Sequence, residues 1–221
     1  MTWPWDGIWA PLSSGVVDVL GRPYGLRVAD LGELALPSGR LCCFDPLTEF
    51  PDEMPFVALP PGRYPVRVTH ADVGGRLDGS DVRAAYVSLI VQRAREEYRR
   101  TLQPIYRSGR RARALETDGF WGVAVETGVV AMVDQEAFER LTGDAWFDDL
   151  PDQWTKAMDD SQEYGEGAAN VGLPDAESGE SLVLSATAEN EGYYPIMGSY
   201  DRRGHLLAVH LDLGVVGTFA Q

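Results

Sequence analysis

The fold is decided by two segments, PPGRYPVRVTH at residues 60–70 and AAYVSLIV at residues 84–91. In the first, Pro61 presets φ for a turn and Gly62 can adopt the positive φ of a type II turn, so a strand is predicted over 63–69. Alternation along this strand predicts one buried face, which carries Tyr64, Val66, Val68 and His70. The second segment is apolar at nearly every position, which is typical of a central strand covered on both faces.

Turn signals recur about every ten residues on either side of these segments, a pattern typical of a meander of short strands. Pro37-Ser38-Gly39 precedes them and Gly74-Gly75 separates them. Later strands are predicted over 181–187 and 205–213. The second of these follows Asp201-Arg202-Arg203-Gly204, whose first and fourth residues fit a type I hairpin turn.

The region after residue 119 mixes strands and helices. Two short strands are predicted around Thr127-Gly128, and the next helix is predicted to be capped by Asp134 and to end at Gly143. A second helix is predicted to begin near residue 150, with its apolar side formed by Leu150, Trp154 and Met158. Residues 161–180 are rich in glycine and acids and are expected to form a long exposed loop. Residues 92–106 fit either a helix or an edge strand.

Length and composition favour one domain, because 221 residues that are 44% apolar can bury one large core. We therefore predict a mainly β (α+β) fold over 1–221, a single domain of antiparallel strands, sandwich- or barrel-like, with two or three short covering helices. Residues 1–15 are expected to form an N-terminal strap, and 144–180 an acidic helix and loop insertion. The chain shows neither an apolar run long enough to cross a bilayer nor a signal peptide, which predicts no membrane association.

The two cysteines, Cys42 and Cys43, are adjacent, so they project to opposite sides of a strand and a mutual disulfide would be strained. This favours a reducing, cytoplasmic location. No cofactor is expected, since neither zinc-type cysteine and histidine spacings nor a phosphate-binding glycine loop is present. Nucleophile motifs such as Gly-x-Ser-x-Gly are also missing.

Charge is concentrated in parts of the chain. The net charge is −15, and residues 141–180 contribute −10 of it, with eleven Asp and Glu against Lys156 alone. Residues 93–113 have the opposite sign, with eight arginines against two glutamates. Nucleic-acid binding needs clustered Lys and Arg to displace counterions, so the overall acidity argues against it and favours a basic protein partner.

Several segments, in order from about residue 32 to 213, together resemble a bacterial family of domains of unknown function, family 4241. They are Gly32-Glu33-Leu34, Pro37-Ser38-Gly39-Arg40, Asp45-Pro46-Leu47, Pro60-Pro61-Gly62-Arg63-Tyr64-Pro65-Val66, Thr127-Gly128, Asp134, Gly192-Tyr193-Tyr194-Pro195, Gly198, Tyr200-Asp201, Gly204 and Asp212. Ala124 stands where the family would have an aspartate. The resemblance implies a shared β-rich fold and a bacterial setting, and it implies no activity.

Histidines and tryptophans offer few candidates for chemistry. His210 and Asp212 share one face of the last strand and would suit a metal or an acid/base pair. A solvent-exposed face opposite Leu207, Val209, Leu211 and Leu213 is the favoured interpretation. His70 is expected in the core and His205 at the surface. Trp3, Trp5 and Trp9 suit either a buried strap or an aromatic recognition strip, and the strap is favoured.

Carboxylates and tyrosines supply the remaining candidates. Asp45, before Pro46, is either a catalytic carboxylate or, preferably, a turn former. The loop at residues 189–195, with Glu191 and Tyr194, could grip a ligand or could be a rigid loop with Tyr194 packed inward.

Two functions from different classes follow. The leading hypothesis is a non-catalytic protein-binding module, of inhibitor or immunity type, that uses its acidic surface at 144–180 against a basic protein partner. The alternative is a small-molecule hydrolase or metal-dependent enzyme whose carboxylates converge from strand ends, namely Asp45, Glu191, Asp201 and Asp212. The candidate binding residues are these four and Tyr194.

Overall fold

A computed structural model describes residues 10–19, 21–48, 54–92, 98–101, 121–142, 150–159, 167–174, 176 and 178–216. These residues form thirteen strands and two helices in two antiparallel sheets. The strands are β1 (Gly15–Val19), β2 (Arg22–Leu36), β3 (Arg40–Phe44), β4 (Phe56–Ala58), β5 (Gly62–Asp72), β6 (Val82–Ile90), β7 (Tyr98–Thr101), β8 (Gly122–Val125), β9 (Val129–Asp134), β10 (Ala168–Gly172), β11 (Ser181–Ala186), β12 (Gly192–Tyr200) and β13 (Leu206–Asp212). The helices are α1 (Gln135–Thr142) and α2 (Leu150–Asp159).

The larger sheet has eight strands in the order β1-β2-β5-β6-β13-β12-β7, and β8 also pairs with β12. Strand β12 is long enough to pair with two strands on one side: Gly192 to Pro195 face β8, and Met197 to Tyr200 face β7. The smaller sheet has the order β10-β11-β9-β3-β4. Residues 98–101, in the segment that fits a helix or an edge strand, form the edge strand β7.

The main core lies between the two sheets and the second core lies under the helices. Leu34, Val66, Leu89, Met132 and Ile196 are among the residues that the sheets bury against each other. On the other face of the smaller sheet, α1 and α2 pack through side chains that include Phe138, Trp154 and Met158. The fold is therefore a β-rich sandwich with two covering helices, as predicted, and it is not a closed barrel.

Local sequence chemistry accounts for most elements. The predicted face of β5 is buried, with Val66 and Val68 at 0% exposure. Asp134 caps α1, since its Oδ1 accepts the Ala137 N–H at 3.0 Å. The Asp201 turn is also confirmed, because the Gly204 N–H donates to the Asp201 carbonyl at 3.0 Å with Gly204 at φ +87°.

Strand β13 was predicted to expose the face with His210 and Asp212, and this prediction is wrong. His210 is 0% exposed and Asp212 is 6% exposed. The reason is that β13 lies between β6 and β12 inside the larger sheet, and a third cluster covers the sheet's outer face. That cluster contains Ala10, Tyr86 and Val215, from segments distant along the chain.

The long exposed loop expected at 161–180 is also wrong in part, because Ala168–Gly172 forms the edge strand β10. Ala168 and Ala169 are buried, and Asn170 reaches across to the larger sheet. Its Nδ2 donates to the Leu31 carbonyl at 2.7 Å and to the Glu33 carbonyl at 3.2 Å, at a bulge in β2.

Some predictions fall outside the described residues. These are the tryptophans at positions 3, 5 and 9, most of the basic segment at 93–113, and the helix end at Gly143. Much of the acidic insertion at 144–180 also lies outside them, namely residues 144–149, 160–166, 175 and 177. None of the helices in the described parts of the chain is long and apolar enough to cross a membrane.

Candidate functional site

Asp45 directly follows β3 and accepts four hydrogen bonds. Its Oδ1 accepts the Leu47 N–H at 3.0 Å and the Thr127 hydroxyl at 2.7 Å. Its Oδ2 accepts the N–H groups of Glu126 at 2.8 Å and Thr127 at 3.0 Å. An ionised carboxylate has about four acceptor positions, so protein donors occupy all of them. Asp45 is thus a turn former that also ties the end of β3 to the connection between β8 and β9.

This connection carries the chain from one sheet to the other. Strand β8 pairs with β12 in the larger sheet, whereas β9 pairs with β3 and β11 in the smaller one. The two strands predicted around Thr127-Gly128 exist, and Gly128 adopts φ +78° at the crossing. Asp45 therefore stabilises a crossover between sheets through residues more than eighty positions away.

A cavity of about 280 Å³ opens beside Asp45, between the end of β3 and strand β8. We call it the β3–β8 cavity. Its walls include Met54 and Trp121, both nearly buried, and its polar lining includes Asp45, Thr48 and Glu126. Ala124, the position where the resembling family would have an aspartate, also lines it.

Asp201 begins the hairpin turn between β12 and β13 and serves that turn. Its Oδ1 accepts the N–H groups of Arg203 and His205, both at 2.8 Å, and its Oδ2 contacts His205 Nδ1 at 2.9 Å. The hydrogen bond with the His205 side chain lowers the pKa of the Asp201 carboxyl most, and the hydrogen bond from the His205 N–H lowers it next. His205 itself is exposed, as predicted.

Asp212 and His210 are close along β13 but have different neighbours. Asp212 Oδ1 accepts the Gly214 N–H at 3.0 Å, which again is local turn chemistry. His210 Nδ1 and Ser88 Oγ are 2.8 Å apart, and His210 Nε2 and Ser199 Oγ are 2.9 Å apart. Complete burial lowers the pKa of His210 to about 3, so the ring is neutral at physiological pH.

Tyr194, in β12, packs inward and forms hydrogen bonds with the loop that precedes this strand. This side chain is 3% exposed, and its hydroxyl accepts the Glu189 N–H at 3.1 Å and donates to the Glu189 carbonyl at 2.9 Å. Of the two open interpretations, the geometry favours the rigid loop with Tyr194 inward. Glu191 is exposed at the surface beside it.

The structure brings some of the four candidate carboxylates to one end of the molecule and leaves one apart. Glu191 lies at the same end as Asp45. Its neighbour Gly192 pairs with Val125, and the residue after Val125, Glu126, donates its N–H to Asp45. Asp212 lies at the same end, because Ile196 near the start of β12 pairs with Leu211. Asp201 lies at the other end of β13, about 20 Å away at 3.3 Å per strand residue.

A second depression, of about 610 Å³, runs along α1 at the opposite end of β3. We call it the α1 groove. Its charged lining consists of Asp134, Glu136, Glu139 and Arg140. Asp134 Oδ2 also accepts the N–H and hydroxyl of Ser38, at 2.9 and 2.8 Å, which attaches the turn between β2 and β3 to the start of α1.

Ion pairs surround the α1 groove. Arg40 Nη1 contacts Glu136 Oε1 at 2.5 Å, and Arg140 Nη2 contacts Glu180 Oε1 at 3.0 Å. The Glu180 carboxyl has a lowered pKa because it accepts its own N–H and that of Ser178, with a further contribution from Arg140. Arg140 is thus already paired with a nearly buried carboxylate.

Metal binding and thiol chemistry find little support in the described residues. Among them, no group of three or more His, Cys, Asp or Glu side chains is placed to bind a metal ion. Burial raises the pKa of Cys43 to about 12, and burial also raises the pKa of Cys42 well above its ordinary value. Both thiols are therefore protonated and poor nucleophiles near neutral pH.

Sequence reasoning missed Trp121 and Glu126 at the cavity and the groove beside α1. Asp134 was identified only as a helix cap, and nothing in the linear pattern places Ser38 against it, 96 positions earlier.

Comparison with known proteins gives one result. A family model described as a protein of unknown function, DUF4241, matches residues 34–211, which is most of the chain. Neither the curated proteins nor the solved structures contain a match to the chain.

Proposed function

Because the chain belongs to the DUF4241 family, whose description assigns no activity, we propose a function from its surface: a non-catalytic protein-binding module, of inhibitor or immunity type, that engages a basic protein partner. The observation that carries this proposal is the α1 groove. Three of its lining side chains are carboxylates, and its one guanidinium is paired with Glu180. Glu136 is in turn paired with Arg40, so the groove and its ion-pair partners together hold four carboxylates against two guanidiniums, and their net formal charge is negative.

The acidity continues from the groove onto the second helix. Asp152 and Asp159 are exposed on α2, and Lys156 is the one basic residue of that helix. A surface of one sign attracts a partner of the opposite sign and speeds their encounter, and the attraction falls with ionic strength. A partner with an arginine- or lysine-rich loop would suit the groove.

The same geometry supports a binder over a hydrolase. Asp45, Asp201 and Asp212 each accept a backbone N–H two residues ahead, so their carboxylates serve turns. A general base or metal ligand needs a free lone pair directed at substrate or ion, and Asp45 has none left. We further propose a bacterial, cytoplasmic setting, supported by the family resemblance and by the free thiols of Cys42 and Cys43.

The test compares two matched double variants. The first changes Glu136 and Glu139 in the groove to Gln, and the second changes the exposed Glu126 and Glu191, outside the groove, to Gln. Proteins captured from the cells that carry the gene, at low and high salt, would be purified and their Kd measured against each variant. We expect the groove variant to weaken binding about tenfold at low salt and to flatten its salt dependence.

The control variant should bind like the wild type, because it removes the same charge from a different surface. Equal affinity of wild type and groove variant would contradict the proposal, as would binding that does not change with salt. The proposal would also be contradicted if every protein that is recovered bound the two variants equally well, or if none were recovered.

A further inference from the structure

The β3–β8 cavity lies apart from the α1 groove, at the opposite end of β3, and has a distinct chemistry. Its volume of about 280 Å³ is just below the range of about 300–1,000 Å³ that suits drug-sized ligands, so it fits only a small molecule. Met54 and Trp121, at 2% and 6% exposure, are firmly packed, which makes this part of the cavity preformed.

Electrostatics in the cavity favour a cation. Two lining residues, Asp45 and Glu126, carry a carboxylate, and none of the lining residues that the structure describes is Lys, Arg or His. Neither carboxylate forms an ion pair with a residue in the described parts of the chain. Their negative charge is therefore uncompensated locally. Glu126 is exposed, whereas Asp45 is 5% exposed, and a charge shielded from water interacts more strongly than one in water.

The hydrogen bonds that Asp45 accepts limit which kind of cation can bind in the cavity. All four acceptor positions of this carboxylate are filled by Leu47, Glu126 and Thr127, so it can attract a positive charge but cannot accept a further N–H. A primary ammonium or a guanidinium could donate to the exposed Glu126 carboxylate but would find no acceptor at Asp45, and an N–H group left without an acceptor there weakens binding. A quaternary ammonium has no N–H group, so it leaves no donor without an acceptor.

Trp121 and Met54 suit the same ligand. The indole of tryptophan is the aromatic ring that attracts cations most strongly, and polarizable thioethers pack well against methyl groups. We propose that the β3–β8 cavity binds a small quaternary ammonium compound, with Trp121 as the aromatic contact and Asp45 and Glu126 as the source of negative charge. This site is independent of the protein-binding function proposed for the α1 groove.

The experiment uses the full chain and a matched pair of probes, choline and its neutral isostere 3,3-dimethyl-1-butanol. Binding is measured by calorimetry and by amide chemical shifts, with the Glu126 and Thr127 N–H groups as reporters because they donate to Asp45. We expect choline to bind about five- to tenfold more tightly than the isostere. The shifts should be confined to the surroundings of β3 and β8.

Three variants complete the test. E126Q should weaken choline binding severalfold, whereas E191Q, which removes a charge from the neighbouring loop, should not change it. Ala124→Trp, at an exposed position that lines the cavity, should block choline by filling the space. Equal affinity for choline and the isostere, equal effects of E126Q and E191Q, undiminished binding to Ala124→Trp, or no choline binding at high millimolar concentration would each overturn the proposal.

Discussion

Thr127 donates both its hydroxyl and its N–H to the carboxylate of Asp45, at 2.7 and 3.0 Å, and this pair joins the two sheets of the sandwich. Asp45 follows β3 of the smaller sheet, and Thr127 lies where the chain leaves β8 of the larger sheet for β9. Because Asp45 is 5% exposed, its bonds are shielded from water and each one is hard to replace.

Asp45→Ala is therefore expected to destabilise the protein by about 2–4 kcal/mol, because it leaves partly buried N–H groups of Glu126 and Thr127 without an acceptor. Urea denaturation would measure the free energy of unfolding. Asp18→Ala is the control, since among the described residues Asp18 accepts the exposed Gly21 N–H alone, and its loss should cost under about 1 kcal/mol. Similar losses for the two variants would refute the structural role of Asp45.

His210 predicts a specific pH dependence. Its pKa is about 3 in the folded protein and near the ordinary 6.5 when unfolded, so between these values the unfolded chain binds a proton that the folded protein does not. The stability contributed by neutral His210 is thus complete above pH 6.5 and is lost as the pH falls toward 3. The slope is about 1.4 kcal/mol per pH unit in the middle of that window.

Denaturation curves between pH 4 and pH 7 would measure this slope. His210→Gln should reduce it, whereas His205→Gln, at an exposed histidine, should leave it close to that of the wild type. Because carboxylates also contribute to acid unfolding, the difference between wild type and variant isolates His210. A slope unchanged by His210→Gln would show that the buried ring does not control acid stability.

Gly122 tests how closely β8 approaches β12. A Cβ at this position would lie 2.3 Å from the Tyr194 carbonyl oxygen, so Gly122→Ala should separate the strands and cost about 1–3 kcal/mol. Gly172→Ala is a matched change in strand β10, where a Cβ meets nothing within 4 Å, and it should be neutral or slightly stabilising. Thermal or urea unfolding of both variants would decide; equal stabilities would contradict the close approach.

The hydroxyls of Tyr193 and Tyr194 bond to different backbone groups, so removing each one should expose a different amide. Tyr194→Phe removes both hydroxyl bonds to Glu189 and should speed hydrogen exchange of the Glu189 amide, at a cost of about 1–2 kcal/mol. Tyr193→Phe removes the acceptor of the Gly122 N–H, at 2.7 Å, and should speed exchange at Gly122 instead. Exchange that rises at both amides in each variant would mean that the loop opens as a unit.

Much of the fold could be predicted because its signals are local. The Pro61-Gly62 turn, the alternation along β5 and the Asp134 cap each depend on residues within a few positions of one another, where backbone sterics and short-range hydrogen bonds act. The apolar run at residues 84–91 likewise predicts burial on both faces of the strand, and this prediction does not require knowing which strand it pairs with. These elements form as predicted because no contact with a distant segment favours a different local conformation.

The site was less predictable, and for one reason. The aspartates were recognised as turn residues or possible catalytic groups, but whether a carboxylate is free depends on which donors reach it. For Asp45 three of the four donor groups come from residues 126 and 127, and for His210 both partners come from other strands. Such long-range pairings leave no trace in local periodicity.

The amino-acid sequence by itself determined several of the strands and turns, both helices, the strong negative charge and the resemblance to a β-rich family. Only the tertiary structure decided which strands share a sheet, that both faces of β13 are covered, and that Ala168–Gly172 forms an edge strand attached to β2 by Asn170. The physical reason is that local elements follow from short-range sterics and hydrogen bonding, whereas burial and the occupancy of a carboxylate depend on contacts between distant segments, which exist only after the two sheets have packed.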